Sequence, residues 1–185
     1  MSGNRKEVRK TERFHQIPIF SNLQGAEVGR VLAITKQKTY EVGEQIFQPG
    51  DPNDGFYIIL EGRVDIRIAS DEAEGQPTTI ATLSNRSVFG EMSFLGKRNR
   101  SAWAYATEET RLNHVDGAKF QILLDQGDVA AYKVIHNFAI LIAGRLRRVE
   151  DELLVALDAI APEKREAKLA ELQQFRDTLY RDWGF

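Results

Sequence analysis

The sequence predicts a mainly β domain, folded as a barrel or a jelly roll, with a helical cap before it and a long helix after it. Between about Thr39 and Val115, short apolar segments alternate with glycine and turn residues, a pattern typical of closely spaced strands. From about Val129 to Ile160 the apolar residues recur at helical spacing instead, with no proline and with Gly144 as the only glycine.

The helical cap is predicted over residues 14–34, where apolar side chains are expected to belong to the core. Phe14, Ile17 and Phe20 bracket Pro18, and the residues that follow have near-helical spacing: Ala26, Val28, Val31, Leu32 and Ile34. Residues 1–13 are polar and include five basic side chains. We interpret them as a solvated polar leader rather than a basic arm for nucleic acid.

Two strands stand out in the β region. Val64, Ile66 and Ile68 alternate with charged residues, which indicates a strand with one buried face. A second strand is predicted over 78–83, after the polar, turn-rich segment D-E-A-E-G-Q-P.

The long helix has a heptad pattern of apolar residues: Tyr132, Ile135, Ala139, Ile142, Leu146, Val149, Leu153, Ala156 and Ile160. Its length of about 45 Å exceeds what covers a small barrel. We therefore expect a homodimer paired through residues 132–160. The alternative is that the first half packs on its own barrel and the second half folds back on the terminal segment.

After Pro162, residues 161–185 are predicted to form a charged amphipathic helix. Its apolar stripe needs a cover, which the sequence leaves open between its own domain, the dimer mate and a partner protein.

Composition narrows the function classes. The net charge of −2 gives the chain no overall electrostatic attraction to nucleic acid. The absence of cysteine from the sequence excludes thiolate chemistry. The N-terminus lacks the apolar core of a signal peptide, and no apolar run is expected to span a membrane. The expectation is a soluble, cytoplasmic protein that binds neither DNA nor membrane.

The segment Val88–Ala106, V-F-G-E-M-S-F-L-G-K-R-N-R-S-A-W-A-Y-A, carries the strongest functional signal. Gly90 precedes a short helical turn whose free N–H groups attract an anion. Glu91 is suited to accept hydrogen bonds from a ribose, and the planar fork of Arg100 matches two phosphate oxygens. Ser101 adds a hydroxyl, and Ala102 leaves its backbone N–H accessible.

The pattern G-E-M-S-F-L-(x4)-R-S-A resembles the phosphate-binding cassette of the cyclic-nucleotide-binding domain family. Upstream, Y-E-V-G-E-Q-I, then G-D, then F-Y-I-I-L-E-G-R-V occur in the order of that family's framework. The resemblance covers roughly residues 14–155. It implies a jelly roll over 14–128, a dimerisation or lid helix over 129–160, and a cyclic mononucleotide ligand, cAMP or cGMP, with no cofactor or metal.

The resemblance also implies a set of ligand-binding residues: Phe89, Gly90, Glu91, Met92, Ser93, Arg100, Ser101, Ala102, Ile80, Ala81, Trp103, Arg145, Arg148 and Val149. In dimeric bacterial relatives, hydroxyl side chains of the long helix meet the adenine. Val149 and Glu150 stand at the matching positions here, so the preferred base is open. Arg145 pairs with Glu91 in one interpretation and lies in a surface salt bridge, or in none, in the other.

The leading functional hypothesis is a receptor that signals to a separate protein through its C-terminal helices. We expect a stand-alone bacterial member without a DNA-binding domain, because only about 25 residues follow Ile160 and they carry as many acids as bases. A metal-dependent enzyme of the cupin kind is disfavoured, since His15, His114 and His136 are scattered. Two competing hypotheses stay open: a ligand-free scaffold and a receptor for a cyclic dinucleotide.

Overall fold

The computed structural model describes residues 14–69 and 77–158, together with residues 170 and 174. The predicted leader over 1–13, most of the polar turn after Ala69 and nearly all of the segment 161–185 lie outside the described residues. The chain divides into two compact units, the first ending at Leu141 and the second beginning at Ile142.

Eight strands form two four-stranded antiparallel sheets. The strands are β1 (Thr35–Tyr40), β2 (Gln45–Phe47), β3 (Gly55–Glu61), β4 (Val64–Ile68), β5 (Thr78–Leu83), β6 (Val88–Phe89), β7 (Trp103–Ala106) and β8 (Thr110–Asp116). The first sheet has the order β1-β8-β3-β6 and the second has the order β2-β7-β4-β5. This arrangement confirms the jelly-roll prediction, including the two strands that the sequence indicated most clearly.

Helices flank the sheets. Two 3₁₀ turns, Phe14–Gln16 and Pro18–Phe20, lead into α1 (Gly25–Ala33); α2 (Glu91–Leu95) lies between β6 and β7, and α3 (Gly117–Asp125) and α4 (Val129–Asp158) follow β8. The helical cap is as predicted, with Val28 and Val31 buried on the inner face of α1.

The first sheet separates two apolar cores because side chains alternate along its strands. Phe56 and Ile58 of β3 face the helices and join a cluster that includes Phe120 and Phe138. Tyr57 and Ile59, which alternate with them on β3, face the barrel interior and pack with Phe47, Phe89 and Leu112. The candidate site lies at the edge of this second cluster.

The long helix α4 uses two different faces. Ala131, Val134 and Phe138 are fully buried in the core of the helical cap, so the first turns do pack on their own domain. Along the predicted heptad, Tyr132 is 54% exposed and Leu146 is 58% exposed. Ile135, also in the heptad, is half-buried against the core of the cap, so the heptad overlaps in part with the face that anchors the helix.

The expectation that no apolar run could cross a membrane is corrected in part by α4. Between Val129 and Leu153 the helix is long and apolar enough to meet a test of length and composition for a membrane span. This is weak evidence, since core helices of soluble proteins meet the same test, and Val134 and Phe138 within that stretch are buried.

Candidate functional site

The site begins where β6 ends and α2 starts. Gly90, between them, has φ +78°, a left-handed conformation that glycine adopts without a steric penalty. A Cβ atom at this position would lie 2.8 Å from Nη1 of Arg100. Gly90 thus allows the chain to turn into α2 while the arginine side chain approaches its backbone closely.

Arg100 is the centre of the site. Its side chain is only 1% exposed, unlike those of Lys97 and Arg98, which are exposed. Nη1 donates to the Gly90 carbonyl at 2.9 Å, and Nη2 donates to Asp54 Oδ1 at 2.6 Å. The guanidinium carbon lies 4.6 Å from the ring centre of Phe47 and 5.6 Å from that of Tyr57. These contacts keep the charged group over aromatic faces.

The segment before β3 holds the cassette in place through its backbone and one amide. The Gly50 N–H donates to the Arg100 carbonyl at 2.9 Å, and the Arg100 N–H donates to the Asp51 carbonyl at 3.0 Å. Asn53 Nδ2 donates to the Ser93 carbonyl in α2 at 2.9 Å. Both the helix and the arginine are therefore tied to one short loop.

Asp54 links the arginine to a histidine. Its Oδ2 lies 3.3 Å from Nε2 of His114, close enough for charge attraction but without the alignment of a hydrogen bond. The His114 imidazole, and then Arg100, hold the pKa of Asp54 well below its usual range, although partial burial acts in the opposite direction. Burial raises the pKa of Tyr57, which stacks on Phe89. Asp54 is thus an anion that already neutralises Arg100.

Within α2, alternate residues point inward. Glu91 is 1% exposed and Ser93 is 8% exposed, whereas Met92 is 68% exposed. A carboxylate is rarely so deeply buried unless its oxygens have partners. This burial separates Glu91 from an ordinary surface acid at a helix start.

The other predicted residues of the first unit differ in their placement. Phe89 is buried in the barrel interior, and Ala81 pairs with Ile66, whose side chain packs against that interior. Ile80 lies at a register irregularity and is 56% exposed. Ser101 is exposed and Ala102 is half-buried.

Trp103 lies on the other side of β7 from the barrel interior. It alternates along β7 with Ala104 and Ala106, which are buried in the barrel interior. Its side chain therefore lies on the outer face of the sheet, away from the interior cluster that contains Phe47 and Tyr57. The part that Trp103 plays in binding a nucleotide stays a prediction.

Arg145, Arg148 and Val149 lie beyond Leu141, in the second compact unit. Val149 is 59% exposed. The part that these residues play in binding a base stays a prediction.

Asp54, Asn53 and His114 are the site residues that the sequence reasoning missed. The turn signal P-N-D-G at 52–55 indicates a loop, but nothing local shows that the loop meets a segment about 45 residues further along. Among the described residues, no group of three or more histidines and carboxylates could hold a metal ion.

Residues 37–127 match the family model described as cyclic nucleotide-binding domain. The chain belongs to the cyclic nucleotide-binding domain family.

Similar proteins support this membership. Over 136 residues the chain is 35% identical to the cyclic AMP receptor protein of Thermus thermophilus, a match that covers 74% of this chain and 60% of that protein. Over 124 residues it is 34% identical to the type II regulatory subunit of cAMP-dependent protein kinase of Drosophila melanogaster, covering 66% of this chain and 32% of the subunit.

Among solved structures, the catabolite activator protein of Thermus thermophilus superimposes with a TM-score of 0.65 at 33% identity. That match covers 76% of this chain and 63% of the activator. The chain thus spans less than two thirds of each of these three proteins, and the shared part includes the cyclic nucleotide-binding domain.

Proposed function

We propose that this chain is a receptor for a cyclic mononucleotide, with cAMP as the first candidate and cGMP as the second. The observation that supports this most is the buried guanidinium of Arg100, held between the Gly90 carbonyl and Asp54 beside the start of α2. A planar five-donor cation placed there matches the phosphate oxygens of a cyclic nucleotide.

In this proposal the phosphate binds Arg100 and the backbone N–H groups at the start of α2. Ser101 and Ala102 add a hydroxyl and a backbone donor. Glu91 accepts hydrogen bonds from the ribose hydroxyl, a role that suits a carboxylate already buried next to Gly90. Ala81, on the inner side of β5, contributes to the apolar surface near the base.

The receptor signals through its long helix and the segment beyond it. Ligand binding shifts an equilibrium between two arrangements of these helices only if the two arrangements bind the ligand with different affinities. We propose that the exposed heptad stripe of α4 pairs two copies of the chain as a coiled coil, and that a separate protein receives the signal. Binding rather than catalysis is the proposed activity.

The first test is calorimetric titration of the ligand-free protein with cAMP, cGMP and cyclic di-GMP. We expect cAMP or cGMP to bind with micromolar or tighter affinity. Arg100→Ala removes hydrogen bonds to a charged group, each of which contributes about 1.5–3 kcal/mol, so the affinity should fall about tenfold or more. Arg100→Lys keeps the charge but loses the fork and should also bind more weakly.

The matched control is Arg98→Ala, because Arg98 is an exposed arginine on the same loop and its loss changes the net charge equally. It should bind like the wild type. Circular dichroism verifies that each variant is folded. Equal affinity in the Arg100 and Arg98 variants would contradict the assignment of Arg100 to the binding site. Binding of cyclic di-GMP alone would favour a receptor for a cyclic dinucleotide. Absence of binding to all three nucleotides would favour a ligand-free scaffold.

A further inference from the structure

His114 contacts Asp54, the carboxylate that binds Arg100, and the binding proposal gives this histidine no role. In the first sheet its register partners are Lys36 on β1 and Tyr57 on β3. The imidazole ring centre is 4.7 Å from that of Tyr57, and the side chain is only 10% exposed. Nε2 is buried and has no hydrogen-bond partner within the described part of the chain. Oδ2 of Asp54 lies 3.3 Å from this atom.

The groups that surround His114 are mostly cationic or neutral. Lys36 and Lys38 belong to β1, and Nζ of Lys38 lies 5.9 Å from the ring centre of Tyr57. The other titratable groups on these three strands are Tyr40 on β1, Tyr57 and Glu61 on β3, and Arg111 and Asp116 on β8. Glu61 forms an ion pair with Arg111 at 2.6 Å, and Arg100 is linked to His114 through Asp54. Asp116 is occupied in capping α3, where it accepts a hydrogen bond from the Lys119 N–H at 3.1 Å. Asp54 is therefore the carboxylate that responds most directly to a charge on His114.

Asp54 competes with an incoming phosphate. The Arg100 side chain is almost fully covered, and Asp54 Oδ1 already occupies Nη2. An anion that binds the guanidinium must either share it with this carboxylate or displace the carboxylate. The Asp54 side chain is 51% exposed, so it has room to move, while the Gly90 carbonyl and the Phe47 ring continue to orient Arg100.

We propose that His114 is a positioning residue that makes nucleotide affinity increase as the pH falls. A protonated imidazole attracts Asp54, which weakens the hold of this carboxylate on Arg100 and adds positive charge behind the phosphate. Both effects favour the bound anion. An imidazole is the side-chain type that gains a proton within the physiological pH range. The inference rests on the proposed nucleotide-binding function and names its regulation.

The ligand for the test is whichever of cAMP and cGMP binds more tightly at about pH 7. Its dissociation constant is then measured at about pH 6 and at about pH 8, at constant ionic strength. The phosphodiester of the nucleotide stays an anion throughout this range. We expect the wild type to bind about threefold or more tightly at the lower pH. His114→Gln should have the same affinity at both values, whereas the control His136→Gln, at an exposed position of α4, should keep the wild-type profile.

A second readout needs no variant. Ligand and proton binding are linked, so the wild type should take up protons when it binds the nucleotide near neutral pH. Calorimetry in buffers of different ionisation enthalpy measures that uptake. A pH-independent wild-type affinity without proton uptake, or an unchanged pH profile in His114→Gln, would overturn this inference and leave the binding function intact. Absence of nucleotide binding at every pH would instead overturn the binding function itself.

Discussion

Gly90 combines a special backbone conformation with close approach to Arg100 in the candidate site. Its φ of +78° suits glycine, and an L-residue in this region costs about 1–2 kcal/mol. A methyl group there would also lie 2.8 Å from Arg100 Nη1, at the end of a flexible side chain. The Arg100 side chain would move more readily than the backbone, so the guanidinium would be displaced.

We therefore expect Gly90→Ala to weaken nucleotide binding more than it lowers the stability of the fold. The affinity for cyclic nucleotide should fall about tenfold or more, since misplaced donors lose charge-assisted hydrogen bonds. Titration calorimetry and thermal denaturation on the same sample measure the two effects. The comparison is Gly43→Ala, where φ is +81° but no atom lies within 4 Å of the added methyl. Equal binding losses in both variants would contradict the role assigned to Gly90.

The same neighbourhood shows what sequence can predict about single residues. The motif distinguishes Arg100 from Lys97 and Arg98, and only Arg100 of the three is buried in the structure. Its acceptor Asp54 could not be predicted, because their contact depends on how two loops meet after the barrel closes. Trp103 lies on the outer face of the sheet because side chains alternate along β7.

Among the elements, α4 is fastened to the N-terminal cap by polar contacts. Asn137 is 5% exposed; its Nδ2 donates to the Ile19 carbonyl at 2.9 Å and to Asn22 Oδ1 at 2.8 Å. Lys133 Nζ bonds to both carboxylate oxygens of Glu27 at 2.9 and 2.7 Å. The cap and the first turns of α4 are thereby held together by more than their shared apolar core.

Asn137→Ala should destabilise the fold by about 1–3 kcal/mol, because the buried Ile19 carbonyl loses its side-chain donor. Urea denaturation followed by circular dichroism measures this change. His136→Ala, on the exposed neighbour in the same helix, should stay within about 0.5 kcal/mol of the wild type. If the two variants were equally stable, the contact between Asn137 and the cap would not contribute to stability.

At the level of elements, the periodicity of apolar residues predicts well whether a segment is a helix or a strand. It predicts less well which face of a helix packs against the domain. The bounds of β5 agree with the alternation and turn signals in the sequence. The face of α4 that packs on the domain is less predictable, because its apolar residues occupy both sides. Val134 and Phe138 anchor the helix, while the heptad residues Tyr132 and Leu146 remain exposed.

For the whole molecule, the exposed apolar residues of α4 raise the question of whether two copies of the chain assemble through this helix. Tyr132, Leu146 and Leu153 recur seven residues apart or at multiples of seven, and all are at least 41% exposed. A stripe with this spacing is the pattern by which two helices pair as a coiled coil. The first turns already satisfy their inner face within the domain, so the exposed stripe is available to a second copy.

Sedimentation equilibrium should therefore give the mass of a dimer for the wild type. Leu146→Glu should raise the dimer dissociation constant about a hundredfold or more, because burial of each leucine contributes about 1.5–3 kcal/mol and two carboxylates would face each other. Val155→Glu is the matched control, since Val155 is 71% exposed and lies outside the heptad positions. A monomeric wild type, or a Leu146→Glu variant as dimeric as Val155→Glu, would show that this stripe does not pair two copies and that the signal leaves the domain by another surface.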